Sequence, residues 1–137
     1  MRISRELVDE IVAHAVADAP NECCGIVASV GGEAVRVYRA RNAVASPLRY
    51  VMDVADQLRI QDELDAQHWE CGAIYHSHTR SAPYPSQTDI NLAFIPEVGP
   101  VWPGSLYVIV GLAGDEPEVR AFRIESDTPE EVALDVA

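Results

Sequence analysis

Two histidines one residue apart, His76-Ser77-His78, close an apolar run, and Asp89 follows eleven residues after the second of them. Side chains in an extended strand alternate between its faces, so imidazoles at i and i+2 project to the same side and can chelate one ion. Asp89 falls in the first turn of a short predicted helix, beyond a loop containing Pro83 and Pro85, from where its carboxylate can swing back to the same point. Structural zinc sites are usually closed by four protein ligands and rich in cysteine, whereas three nitrogen or oxygen ligands leave a position for water. The pattern therefore points to catalysis: zinc can lower the pKa of water to about 7, making hydroxide available at neutral pH to attack a carbonyl carbon.

Such a water needs a proton acceptor, and the acid best placed by sequence is Glu22, at the entry of the first predicted strand beside Cys23-Cys24-Gly25. Ser86, three residues before Asp89, shares its helical face and could donate a hydroxyl to the oxyanion of a tetrahedral intermediate. It reads equally well as the N-cap of that helix.

The elements that must position these groups can be read from periodicity. Residues 4–18 place Leu7, Val8, Ile11, Val12, Ala15 and Val16 on one helical face, with Ser4 as N-cap and Pro20 beyond the end. Cys23 to Val30 and Glu33 to Ala40, joined by Gly31-Gly32, read as a hairpin. A turn over Asn42 to Pro47 and an extended piece to Met52 lead to Asp53, the N-cap of a second helix reaching about Trp69, whose expected apolar face is Val54, Leu58, Leu64 and Trp69. Cys71 to His78 is a buried strand, 79–85 a loop, and Ser86 opens a third helix to about Ile95. The Pro- and Gly-rich stretch 96–104 follows, then a buried strand over Leu106 to Leu112 and a partly exposed one over Glu118 to Ile124, while the acidic tail after Ser126 shows only weak helical character. This order argues for one layered domain spanning 1–137, α/β or α+β in class, with a mixed sheet packed against helices.

Bulk properties exclude several classes. A hydrophobic fraction of 48% and a charged fraction of 23% are those of a folded globular chain. A net charge of −12 opposes binding to a nucleic-acid phosphate backbone. With no apolar run of membrane-spanning length and no secretory core at the N-terminus, the expected location is the cytoplasm, away from membranes. Cys23, Cys24 and Cys71 lack CxxC spacing and read as reduced, buried thiols, and His14 and His68 as ordinary surface or packing residues. The acids Asp62, Glu63, Asp65 and Glu70 read as the solvated face of the second helix, and no phosphate-binding or dinucleotide glycine motif is present.

Taken together, Glu22, then His76-Ser77-His78, seven residues, Ser86, two residues and Asp89 resemble the JAMM (MPN+) metalloprotease motif. The likeness extends through Glu22-Cys23-Cys24-Gly25 and Tyr75 to Thr79, then Tyr84-Pro85-Ser86 and Thr88-Asp89. In its short form the chain looks like the bacterial Mec-type enzymes, which act on ubiquitin-like sulfur-carrier proteins and free an amino acid, cysteine in the best-known case, from the carrier's C-terminal glycine. This resemblance implies a cytidine-deaminase-like α-β-α sandwich around a curved mixed sheet. It also implies one Zn2+ per chain on His76, His78 and Asp89, with Glu22 as general base and then acid, and Ser86 as oxyanion donor. The implied partner is a ubiquitin-like sulfur carrier ending in Gly-Gly, with a homodimer compatible, and the 96–104 stretch with Trp102 is the expected mobile wall of the groove for that tail. The alternatives are a broader isopeptidase that removes small modifiers from lysines or trims carrier precursors, and a non-catalytic MPN scaffold that binds a ubiquitin-like protein.

Overall fold

The computed structural model describes residues 1–137. In chain order the elements are β1 (Arg2–Ile3), α1 (Arg5–Asp18), β2 (Cys24–Val30), β3 (Glu33–Ala40), α2 (Val54–Gln67), β4 (Glu70–His78) and α3 (Gln87–Ala93). The small strands β5 (Phe94–Ile95) and β6 (Gly99–Pro100) come next, then β7 (Leu106–Gly111), β8 (Glu118–Arg123), β9 (Glu130–Val132) and β10 (Asp135–Val136). Eight strands form one mixed sheet in the order β10-β1-β3-β2-β4-β7-β8-β9, and β5 and β6 pair separately. Only Ala133 and Leu134 separate β9 from β10, yet these strands occupy opposite ends of the order, so the sheet must curl strongly upon itself.

Alternation along the strands divides the interior into two layers. Val27, Ala73, Tyr75, Val108 and Val110 pack with Val8, Ile11 and Ala15 of α1 on one side of the sheet. Cys24, Ile26, Ile74, Tyr107 and Ile109 pack with Ile60 and Leu64 of α2 and Ile90 and Ala93 of α3 on the other. Fully buried side chains such as Ile11, Ile60 and Leu64 each contribute about 1.5–3 kcal/mol of apolar transfer energy. The result is the expected α-β-α sandwich around a curved mixed sheet.

Both long helices begin where their caps predict: the Ser4 hydroxyl accepts the Leu7 N–H, and the Asp53 carboxylate accepts that of Asp56. The face of α2 differs from the expected one. Val54 and Leu58 are exposed, and the helix instead buries Asp56, Ile60 and Leu64. Asp56 explains the rotation, because its carboxylate accepts hydrogen bonds from the backbone and guanidinium of Arg41, fixing the helix to the end of β3. The tail after Ser126 supplies β9 and β10 rather than a helix, since each meets a free sheet edge that the local sequence does not announce. Likewise Glu70 belongs to β4, and Phe94 and Ile95 leave α3 to pair with Gly99 and Pro100. No helix is long and apolar enough to cross a membrane.

Candidate metal centre

Strand β4 is held between antiparallel β2 and parallel β7, which fixes its roll. Its even-numbered residues Ile74, His76 and His78 therefore face the α2 and α3 layer, and its odd-numbered Ala73, Tyr75 and Ser77 face α1. The α1 side anchors the strand. The Ser77 hydroxyl accepts the Cys23 N–H at 2.8 Å, and the Tyr75 hydroxyl lies 2.7 Å from His14 Nδ1. Gly25 makes room for this arrangement, because a Cβ there would collide with the Tyr75 ring and the Tyr38 carbonyl oxygen.

On the opposite face, three donor atoms converge. His76 Nε2 and His78 Nε2 are 3.2 Å apart, and Asp89 Oδ2 lies 3.1 Å from the first and 3.0 Å from the second. Ligands about 2.0–2.1 Å from a tetrahedral metal stand about 3.3 Å from one another, so this triangle has the size and the nitrogen-oxygen composition of three metal corners. All three side chains are buried, where such a cluster of lone pairs is costly unless a cation or a shared proton compensates it.

The two imidazoles are oriented in different ways. His78 Nδ1 donates to the Ala82 carbonyl at 2.8 Å, which leaves its Nε2 lone pair for the cluster. His76 Nδ1 is buried without a partner, and the ring is held by stacking on Tyr50, with centroids 4.6 Å apart and planes at 27°. Asp89 is fixed by a capping box in which the Ser86 N–H donates to Asp89 Oδ2 and the Asp89 N–H donates to Ser86 Oγ. Burial alone would raise the Asp89 pKa, but hydrogen bonds from His76, His78 and the Ser86 N–H win and hold the carboxyl well below its ordinary value. Burial opposes charge on His78 as well, yet Asp89 and the Ala82 carbonyl outweigh it and push that pKa up.

Glu22 continues the row of Cys24 and Ile26 toward the same layer, and only 4% of it is exposed. Its backbone is clamped from two sides: its N–H donates to the Ser46 carbonyl at 2.9 Å, and the Asn42 side-chain amide donates to its carbonyl at 3.1 Å. Glu22 Oε1 has no hydrogen-bond partner. Burial pushes the carboxyl up to about 7, against the pull of His78 and with added repulsion from Asp89. An acid poised near neutrality with a bare oxygen is suited to passing a proton in both directions. The exposed Ser86 accepts through its oxygen in the capping box, and its hydroxyl hydrogen remains available for donation.

The sequence reading thus named the residues that meet here, but not their supports. Tyr50, Asn42 and Ala82 carry no local signal, because their roles depend on contacts made only by the folded chain. His14, read as a surface or packing residue, is buried in a hydrogen-bonded pair with Tyr75, and Cys23 and Cys24 are buried thiols that burial pushes up to about 12, whereas Cys71, expected to be buried as well, is only half-buried. Beside the centre lies an apolar groove of about 260 Å3, lined by Tyr50, Met52, Ile74, Leu92, Trp102 and Tyr107. Trp102 forms part of its wall, and the 96–104 stretch is tied back by the Val101 N–H donating to the Ala93 carbonyl.

His76, His78, Ser86, Asp89 and Glu22 are the residues that carried the resemblance to the JAMM (MPN+) motif, and comparison with known proteins gives the family. The family described as prokaryotic homologs of the JAB domain matches residues 4–125, and the chain belongs to that family. The chain is 35% identical over 125 residues to the CysO-cysteine peptidase of Mycobacterium tuberculosis, covering 89% of this chain and 81% of that protein. It is 34% identical over 135 residues to the probable TtuB-protein conjugate cleaving protease of Thermus thermophilus, covering 96% and 80%. Among solved structures, protein DSY2949 of Desulfitobacterium hafniense superposes with a TM-score of 0.81 at 29% identity, covering 99% of this chain and 92% of the other. The JAB1/MPN domain protein AF2198 of Archaeoglobus fulgidus shares the fold, with a TM-score of 0.62 at 20% identity over 99% and 98%.

Proposed function

We propose that this protein is a zinc-dependent peptidase that hydrolyses the amide between the C-terminal glycine of a ubiquitin-like sulfur-carrier protein and an attached amino acid, with cysteine as the favoured leaving group. The observation that carries this reading is the convergence of His76 Nε2, His78 Nε2 and Asp89 Oδ2 within 3.0–3.2 Å, in the same buried layer as the unpartnered carboxylate of Glu22.

His76, His78 and Asp89 would hold the Zn2+, whose Lewis acidity polarises the scissile carbonyl and acidifies a water molecule. Glu22 takes a proton from the attacking water through its bare oxygen and returns it to the departing amine. The C–N bond breaks, the carbon acquires the water's hydroxyl, and the carrier leaves with a free glycine carboxylate. Ser86 donates its hydroxyl to the oxygen that gains charge in the tetrahedral intermediate, from a position set by the α3 cap. The neighbouring apolar groove, with Trp102 and Tyr50 on its walls, fits the extended end of the carrier chain.

The named relatives act in this chemistry by their names alone: one is a CysO-cysteine peptidase and another a probable protease of TtuB-protein conjugates. The second favours a related reading, removal of a modifier from a protein lysine at the same centre. Incubating the zinc-loaded protein with a carrier–cysteine conjugate and with a carrier–lysine isopeptide distinguishes the two. Release of free cysteine at the faster rate, abolished by a chelator and restored by zinc, is the expected result. Cleavage of the isopeptide alone would transfer the assignment to the second reading.

A further inference from the structure

A larger cavity, of about 570 Å3, opens where the end of α1 meets the end of β3, and Glu22 forms part of its wall. It is thus next to the proposed base yet separate from the apolar groove, which shares none of its lining residues. Its charged lining is unevenly compensated. Arg41 is neutralised by Asp53 and Asp56 at 3.2 and 3.1 Å, and Asp18 lies 3.2 Å from His14 Nε2. Arg39, although the chain carries 22 acidic side chains against 10 basic ones, has no carboxylate at ion-pairing distance. Burial lowers the His14 pKa against the pull of Asp18, and the nearby Arg39 adds to the lowering, while Arg39 itself is the arginine of this lining that makes no ion pair.

Resting on the peptidase reading above, we propose that this cavity receives the amino acid that leaves, with Arg39 binding its α-carboxylate while its nitrogen stays beside Glu22. The two sides of the scissile bond then meet different surfaces. The carrier's extended tail lies in the apolar groove, and the small polar leaving group enters the charged cavity. A planar guanidinium with paired donors matches a carboxylate in a bidentate manner, and a free α-carboxylate is what separates a released amino acid from an internal peptide bond or a lysine side chain. Arg39 would make this enzyme selective for carriers bearing a single amino acid.

The test uses the zinc-loaded protein with two carrier conjugates, one ending in cysteine and one in cysteinamide, which differ only in the carboxylate. The wild type is expected to show a KM about tenfold higher for the amide, the usual cost of losing one charge-assisted hydrogen-bonded contact. Arg39→Ala should raise the KM for the cysteine conjugate about tenfold, leave the cysteinamide conjugate unchanged and leave kcat for both within about twofold, with Arg39→Lys recovering part of the loss. Free alanine, which has no thiol to reach the metal, should shift the His14 ring resonances of the wild type and not of Arg39→Ala. Equal KM values for the two conjugates in the wild type, or equal losses for both in Arg39→Ala, would overturn the assignment of Arg39. If the zinc-loaded wild type cleaved neither conjugate, the peptidase reading would fail and this inference with it.

Discussion

The two faces of β4 use the same nine residues for opposite purposes. Toward α1, Tyr75 and Ser77 are buried polar residues whose polar atoms are all matched, to His14 and to the Cys23 N–H. Toward α2 and α3, the buried polar atoms without partners collect: Glu22 Oε1, His76 Nδ1 and the hydroxyls of Tyr38 and Tyr107. An unmatched buried polar atom costs about 1–3 kcal/mol, so one side of the strand is built for stability and the other retains unspent binding capacity. What separates them is a period of two residues, and a slip of one position would exchange the proposed ligands for the anchors.

This contrast can be broken most severely at the ligands. Asp89→Ala should abolish metal binding, read by elemental analysis, and reduce turnover at least about 10³-fold, because the centre loses both a corner and the charge that holds His78 in place. Glu22→Gln should retain the metal and the fold while kcat falls about 10²–10⁴-fold, the span expected for a general base. Full activity in that variant would remove Glu22 from the reaction. The other face should respond in stability instead. Tyr75→Phe leaves His14 Nδ1 unmatched, and denaturant unfolding should show a loss of about 1–3 kcal/mol with metal content intact.

The smallest expected effect sharpens the contrast through pH. Folded Glu22 titrates at about 7, whereas its ordinary value is 4.5, so between these values the folded chain holds a proton that the unfolded chain has released. The metal-free protein should therefore lose stability as pH rises from about 5 to about 7, and Glu22→Gln should lack that component of the slope. Parallel melting curves for the two proteins would contradict the raised value.

Much of the candidate centre was legible because its proposed ligands obey local rules. The His76 and His78 spacing needs only a strand, and the Ser86 and Asp89 spacing needs only a capped helix start. Glu22, far from the other three in sequence, stood out only as an acid at the entry of the first predicted strand, and its role came from the resemblance to a known motif. What escaped were properties of the assembled sheet. The rotation of α2 depends on Asp56 meeting Arg41, the stacking of His76 on Tyr50 joins β4 to a loop, and β9 and β10 form because sheet edges await them. Val54 and Leu58 looked like a core face because their spacing is right, but the helix turns Ile60, Leu64 and the ion-paired Asp56 inward instead.

The central claim is that one ion sits among two imidazoles and a carboxylate while the nearby thiols of Cys23 and Cys24 stay out of its reach. X-ray absorption of the zinc-loaded protein tests this directly, since nitrogen and oxygen ligands scatter from about 2.0–2.1 Å and sulfur from about 2.3 Å. A shell of nitrogen and oxygen alone, at one zinc per chain, is the expected result. A sulfur shell, or zinc retained after His76, His78 and Asp89 are all replaced by alanine, would contradict it.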